Sequence, residues 1–287
     1  MSGEAHRVQV GAELRRVREQ LGLSGMQVAA SLGWSQSKVS RIEAGILGAA
    51  INDLAALLNL YGVTEEVRAE LLSSAVAGNG LAGAWIVRAG DAPRRQGEVA
   101  AIEARVRRIR QYGALTVPGL LQAKAYTQAV AAAGGFAQVD DIVRRRLARQ
   151  ELLFTDQAPS YEVVLDERAL ARWPGDPLVL DEQIDRLQVI GALPTVDLRL
   201  LPAGGAARAI GFAQFLIYDF LDPAAPSVVM LESQTSDTYL SAPEDVDAYA
   251  RLFDGLKSEA LTPQNSGKQF RSMRRAATTK SKEGKDE

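Results

Sequence analysis

Between Ser35 and Arg41 the chain reads SQSKVSR. Ser35, Gln36, Ser37 and Ser40 carry hydroxyls or an amide, Lys38 and Arg41 carry cations, and Val39 alone is apolar. Small hydrogen-bonding side chains packed this densely suit a helix that must touch another polar surface at close range; solvated helix faces more usually carry Glu and Lys. The chemistry fits entry into a DNA major groove about 12 Å wide, where a helix must be slim at its N-terminal end and must offer donors and acceptors to base edges. Val39 and Ile42, three residues apart, would hold the other side of such a helix to a partner.

The flanking sequence supplies that partner. The first 75 residues read as five short helices. Val10, Leu14, Val17 and Leu21 recur at helical spacing, and Gly22 ends the first helix. Ser24 starts a second, with Gln27 three residues on in the capping-box arrangement, and Val28, Ala29 and Leu32 form its inner face. Gly33 supplies a tight turn into the third helix, expected from about Ser35 to Glu43. Asn52 is expected to cap a fourth helix holding Leu54, Leu57, Leu58 and Tyr61, and Thr64 a fifth with Val67 and Leu71 inward. Two helices joined by a glycine turn, the second opening on small polar residues, form a helix-turn-helix signature.

On these residues the segment 8–62, with its REQLGLS, LGWSQSKVSRIE and LLNLYGV elements, resembles the Xre-type (phage-repressor-like) helix-turn-helix family. The resemblance implies base contacts for Gln36, Ser37 and Arg41, with Ser40 on the same helix, and phosphate contacts for Ser35 and Lys38. It also implies an ion pair between Arg18 of the first helix and Glu43 at the end of the third. Two positions depart from the family pattern. Gly25 stands where a glutamine usually grips a phosphate, and the loop AGILGAA lacks the usual basic residue or proline. Each missing phosphate contact lowers affinity and its salt dependence, so useful strength is expected from a homodimer on double-stranded DNA.

Composition bounds the rest. The 287 residues are enough for two domains, and 47% hydrophobic with 24% charged residues fits a globular protein with a real core. The chain has no cysteine and one histidine, His6, near the N-terminus, which removes thiolate ligands, a cysteine nucleophile and most imidazole acid–base chemistry. No apolar run approaches the ~18–20 residues that span a bilayer and no signal peptide is read, so a cytoplasmic protein with no membrane partner is expected. The net charge of −2 divides unevenly: 7 basic against 8 acidic groups in residues 1–75, 19 against 24 in 76–262, and 7 against 3 in 263–287. Any DNA contact by the first segment must therefore come from local placement of charge.

Residues 78–97, with their glycines, Pro93 and the Arg94–Arg95 pair, read as a linker. A helix is expected from Glu98 to Arg110, others around 119–133 and 139–154, and strands at 161–165, 195–201, 212–218 and 227–231, with helices at about 166–172, 178–191 and 243–260. The last 25 residues are polar and basic and read as disordered. The fold class is thus multidomain: an all-α five-helix N-terminal domain (1–77), then a mixed α/β (α+β) C-terminal domain (98–262).

Through TVPGLLQAKAY (116–126), RRRLARQELL (144–153), YEVVLDERAL (161–170) and FLIYDF (215–220), the C-terminal part resembles the large effector-like domain that follows such units in many actinobacterial regulators. These are often described as antitoxin-like and encoded beside a small partner protein. Asp166, Glu167 and Glu232 near strand ends are the candidate acid–base carboxylates, but capping of the next helix is the expected task of Asp166. With no phosphate-binding glycine loop, metal-ligand cluster or Ser/His pairing, no catalytic residue, cofactor or metal is expected, and the chain is not read as an enzyme. Arg105, Arg107, Arg108 and Arg110 on one expected helix and Arg144, Arg145, Arg146 and Arg149 on another would suit an anionic ligand if the two faces converged; solvated surface arginines are the competing reading. The leading expectation is a sequence-specific DNA-binding regulator whose C-terminal domain dimerises and binds a small partner protein or ligand. The alternative is an antitoxin-like protein that sequesters a small cognate partner and binds DNA only to regulate itself.

Overall fold

In the structure, a computed structural model, α1 spans Gly3–Gln20 and buries Val10, Leu14 and Val17, as the helical spacing requires. Leu21, expected on the same face, falls just past the helix and is 48% exposed. Gly22 then turns the chain at φ 67°, a left-handed conformation that glycine adopts without steric cost. α2 (Gly25–Leu32) opens under a complete capping box: Ser24 Oγ accepts from the Gln27 N–H at 3.2 Å, and Gln27 Oε1 accepts from the Ser24 N–H at 2.8 Å. α3 spans Gln36–Glu43, and α4 spans Ile51–Tyr61, taking Asn52 inside the helix instead of as its cap. Leu14, Val28, Leu54 and Leu57 are fully buried, and Val39 and Ile42 join them at 1% and 2% exposure. Of the expected fifth helix, residues 66–68 and 71–72 are helical, with Leu71 and Leu72 buried. The structure describes residues 3–46, 51–64, 66–68, 71–72, 84–88, 92–171, 175–204, 213–223, 225–233 and 236–283.

The chain divides into two compact units, residues 1–107 with 218–246, and residues 108–217 with 247–287. In the first unit, the stretch 78–97 that reads as a linker holds β1 (Ala84–Arg88) and the opening turn of α5 (Ala92–Glu103). This corrects the sequence reading, and the reason is pairing at long range. β1 runs antiparallel to β7 (Ser236–Leu240), with Trp85 opposite Tyr239, and β7 is antiparallel to β6 (Val228–Glu232), with Met230 opposite the same Tyr239. Arg95, half of the pair that suggested a linker, donates from Nε to buried Asp237 at 2.9 Å and from Nη1 to the Ser233 carbonyl at 3.0 Å. A local glycine signal cannot reveal partners some 140 positions away.

In the second unit, β2 (Val106–Gly113, most of it), β3 (Ser160–Asp166) and β4 (Val196–Leu201) form a parallel ladder, with Ile109 opposite Tyr161 and Tyr161 opposite Val196. The helix expected over 98–110 is therefore split, with α5 ending at Glu103 and a strand beginning at Val106. Parallel neighbours need long crossovers. The first carries a 3-10 turn at Gly119–Leu121, α6 (Lys124–Ala133), α7 (Val139–Gln150) and a second 3-10 turn at Glu151–Phe154. The next carries α8 (Arg168–Ala171) and α9 (Pro177–Gly191), where Pro177 sits at the first helical position and Asp176 caps the Leu178 N–H at 2.9 Å. β3 is buried on both faces through Tyr161, Val163, Val164 and Leu165, as a covered parallel strand must be. β5 (Phe215–Phe220) is buried throughout.

The expectation of a disordered C-terminus is also corrected. After α10 (Pro243–Glu259), residues Pro263–Glu283 form α11. Its anchors are few but well placed. Phe270 is 2% exposed, and Ser266, fully buried, accepts from the Leu200 N–H of β4 at 2.8 Å. Arg274 reaches Asp185 of α9 at 2.7 Å. A helix needs only one apolar stripe to dock, and composition averaged over 25 residues hides a stripe this narrow.

Candidate nucleic-acid interface

α3 is placed by both of its ends. Gly33 adopts φ 67°, ψ 31° and closes α2, with the Trp34 N–H donating to the Ala29 carbonyl at 2.8 Å. Ser35 follows in extended conformation and caps α3, its Oγ accepting from the Lys38 N–H at 3.2 Å. At the far end, Glu43 takes two bonds from Arg18 of α1, Nε to Oε1 at 2.6 Å and Nη2 to Oε2 at 2.9 Å. Arg18 Nη1 also donates to the Leu23 carbonyl at 2.7 Å, so one guanidinium ties α1 to both the α1–α2 turn and α3. The bond and charge of Glu43 raise the Arg18 pKa above its ordinary value despite the partial burial. Tyr61 of α4 is pushed up to about 12, by burial first and then by the nearby Glu43 charge.

Gly11 completes the placement. A Cβ built there would lie 2.6 Å from the carbonyl oxygens of both Ile42 and Glu43. The backbone of α1 thus lies directly against the C-terminal end of α3, and only glycine allows that approach. Nothing in the local sequence of α1 announces this, because glycine inside a helical pattern reads simply as a weak position.

With 3.6 residues per turn, successive side chains are about 100° apart, which puts Gln36, Ser40, Ser37 and Arg41 in one stripe and Val39 and Ile42 on the other side. Those four and the cap Ser35 are exposed, while Val39 and Ile42 are buried. Arg41 Nε lies 3.3 Å from the Ser37 carbonyl of its own helix, which leaves its long side chain along the stripe. Five of the six sequence-predicted residues therefore share one open surface at the N-terminal and central part of α3.

Lys38 stands apart. Its position falls at the border of the stripe, and its ammonium bonds Asp53 Oδ1 of α4 at 2.7 Å while lying 4.0 Å above the Trp34 ring. Asp53 and Trp34 are functional neighbours that the sequence reading did not single out. The Lys38–Asp53 pair joins positions fifteen apart across a loop, a spacing with no local signature. Gly25, at the start of α2, has nothing within 4 Å of its Cβ position, so no neighbour demands a glycine there.

Of the two candidate ligand faces, the second lies on one helix as expected, with Arg144, Arg145, Arg146 and Arg149 on α7, and the first does not. Arg105 lies in a turn and Arg107, Arg108 and Arg110 lie on β2, where Arg108 Nε bonds Glu162 at 2.6 Å. On α7, exposed Arg144 pairs with Asp141 and Arg146 donates to Gln122 Oε1. Asp166, buried at 1%, accepts from the Arg168 N–H at 2.9 Å and from Tyr112 Oη at 3.1 Å, the helix-capping task expected of it.

Among the described residues, no helix is long and apolar enough to cross a membrane. Comparison with curated proteins yields no match. A solved structure described as "Structure of TrmBL2, an archaeal chromatin protein, shows a novel mode of DNA binding" aligns at 14% identity and a TM-score of 0.31, over 73% of this chain and 60% of that one. This chain thus spans less than two thirds of the length of that protein. Residues 9–71 match a helix-turn-helix domain, the segment that holds α1 to α4 and the Ser35–Arg41 stripe. Residues 96–271, more than half of the chain, match the domain of unknown function DUF5753, and the protein belongs to that family.

Proposed function

We propose that this protein is a sequence-specific DNA-binding transcriptional regulator that inserts α3 into the major groove. The observation that carries the reading is the capped, braced α3, with Gln36, Ser37, Ser40 and Arg41 on one exposed stripe of a helix-turn-helix domain. An amide such as Gln36 can bond the N6 and N7 edge of adenine with both of its polar atoms, and an arginine such as Arg41 the O6 and N7 edge of guanine. The Ser35 hydroxyl spends its acceptor on the helix cap and keeps its proton for a phosphate. The reading resembles that of Xre-type regulators.

The DUF5753 region is the part we assign to dimerisation and to receiving a small partner protein or ligand. Two considerations support this. One α3 offers few phosphate grips, and helix-turn-helix proteins commonly gain strength by reading two half-sites as a dimer. The larger region also exceeds what a groove contact requires. It is given no catalytic role.

Binding of the full chain to a duplex from its own promoter region tests the reading. Gln36→Ala and Arg41→Ala should each lose sequence preference, by about 1–3 kcal/mol of discrimination per lost bidentate contact, with unchanged circular dichroism. Should both variants bind as tightly and selectively as the parent, α3 is not the reading helix. Light scattering of the complex tests the dimer, and a monomer on operator DNA at every concentration would remove it.

A further inference from the structure

We infer that Asp53 attenuates DNA affinity by holding the Lys38 ammonium on the protein, withdrawing a phosphate grip from the reading helix. The inference rests on the reading of α3 as a DNA-contacting helix and adds a residue that sets how tightly it binds.

Lys38 is the only lysine of residues 1–75, and α3 carries three charged residues, Lys38, Arg41 and Glu43. Glu43 is neutralised by Arg18. Lys38 is neutralised in turn by Asp53, at 2.7 Å, with side-chain exposures of 29% and 21%. The partly dry setting strengthens the pair relative to a fully solvated one. The Trp34 face, 4.0 Å beneath the ammonium, adds a second hold on the same cation. Two elements outside α3, the preceding turn and α4, thus fix a side chain that would otherwise sweep the border of the exposed stripe.

A phosphate must compete with that arrangement. To reach one, Lys38 either leaves both Asp53 and Trp34 or shares its three N–H donors between carboxylate and phosphate. In the shared case the phosphate oxygen would lie within about 6 Å of the carboxylate, inside the distance over which salt screens charge, so the two anions repel. Either way the counterion release that a free lysine would contribute is reduced. The unit has little to spare: residues 1–75 hold 7 basic against 8 acidic groups, a net of −1. One carboxylate placed on one of the two cations of α3 therefore weighs more than its share of the total.

Fluorescence anisotropy of the full-length protein on a fluorescein-labelled duplex from its own promoter region, across a series of NaCl concentrations, tests this. Asp53→Asn should bind about 3- to 10-fold more tightly at low salt, and its plot of log K against log salt should steepen by about 0.9, the value of one added phosphate contact. Lys38→Gln in the wild-type background should change affinity less than about 2-fold and leave the slope in place, since that contact is largely absent already. The same substitution in the Asp53→Asn background should erase the gain. An Asp53→Asn protein that binds no better than the parent, or a Lys38→Gln loss equal in both backgrounds, overturns the inference and makes the pair a plain brace between α3 and α4. If Asp53→Asn lowers the melting temperature enough to obscure binding, Asp53→Ser takes its place with the same expected gain and steeper slope, and a Lys38→Gln slope shallower by about 0.9 in the wild-type background overturns the inference. A wild type that binds while Asp53→Asn gains nothing removes only this inference. No binding by the wild type or any variant removes the DNA reading and the inference together.

Discussion

Arg18 and Glu43 meet fork to fork, with Nε–Oε1 at 2.6 Å and Nη2–Oε2 at 2.9 Å, and the two side chains are only 13% and 7% exposed. The pair fixes the end of α3 to α1, and removing one partner leaves the other charge stranded away from water. Arg18→Ala should therefore cost about 3 kcal/mol, near the lower range for breaking a buried pair. Arg18→Ala/Glu43→Ala should recover part of that loss, because it strands nothing. Urea unfolding of the full chain reads both; an Arg18→Ala midpoint equal to the parent would show that the pair is not holding α3.

Two glycines of the same domain should respond in opposite directions. Gly11→Ala drives a Cβ to 2.6 Å from two backbone oxygens of α3, and backbone cannot swing aside as a side-chain tip can. It should cost at least about 2 kcal/mol and shift α3, weakening any duplex binding as well. Gly25→Ala adds a Cβ into open space on a helix and should gain about 0.5–1 kcal/mol through reduced freedom of the unfolded chain. Melting temperatures of the two variants check the contrast, and a stable Gly11→Ala protein would contradict the close approach of α1 to α3.

Much of the helix-turn-helix unit is legible in the sequence because its instructions are local. Ser24 with Gln27, Gly33 and the buried Val39 and Ile42 each act within four positions and take up their expected roles, and Ser35 marks the start of α3 as its cap. The bounds of β3, β4 and α9 fall within one residue of those expected, for the same reason. What was missed depends on distant partners. β1 needs β7 opposite it, and Arg95 needs Asp237. Val106 and Ile109, three apart, look like a helical face, but both lie on β2, where Ile109 pairs with Tyr161 of β3. In α11 a single phenylalanine and a serine do the docking inside a polar run. On α3 itself, six residues of four types announced a polar surface, but only the fold could show that Lys38 is taken up by Asp53.

The 3-10 turn at Gly119–Leu121 is held by side chains in addition to its own backbone bonds. Gln150, 1% exposed, donates from Nε2 to the carbonyls of Gly119 and Gln122, both at 2.8 Å, and accepts from Arg186 Nη2 at 2.9 Å. Gln183, fully buried, bonds Ala123 N–H and the Leu121 carbonyl, each at 2.8 Å, and Gln122 Nε2 donates to the Val117 carbonyl at 2.7 Å. A buried amide that is removed leaves its partners unsatisfied, which costs about 1–3 kcal/mol for each group left without a bond. Gln150→Leu, similar in volume but unable to bond, should destabilise by about 3 kcal/mol or more, and Gln150→Glu should also destabilise at neutral pH, since a carboxylate still accepts from Arg186 but faces the two carbonyls with a negative oxygen in place of their donor. Denaturant titration reads both, and a Gln150→Leu midpoint equal to that of the parent would mean that these bonds do not hold the turn.

The acid limit of stability should lie in a charged chain on the parallel ladder. Arg108 bonds Glu162 at 2.6 Å, Lys257 of α10 pairs with both Glu162 and Asp197, and Arg199 bonds Asp197 at 2.8 Å. Burial opposes ionisation of both carboxyls but is outweighed by these cations, so both pKa values are held below their ordinary range. Asp166 is lowered in the same sense, burial being outweighed by its Arg168 and Tyr112 bonds. A carboxyl whose folded pKa lies below its unfolded value binds fewer protons folded, so its contribution is fully present above the unfolded value, about 4, and fades as pH falls through the folded one. The urea midpoint should thus hold steady from neutral pH down to about 5 and fall steeply below about 4. Lys257→Met withdraws a cation shared by two of the three carboxyls. It should lower the midpoint at pH 7 and flatten the acid limb, leaving the parts due to Asp166 and to the Arg108 and Arg199 bonds that remain. A Lys257→Met protein with the full acid limb of the parent would place the sensitivity elsewhere in the fold.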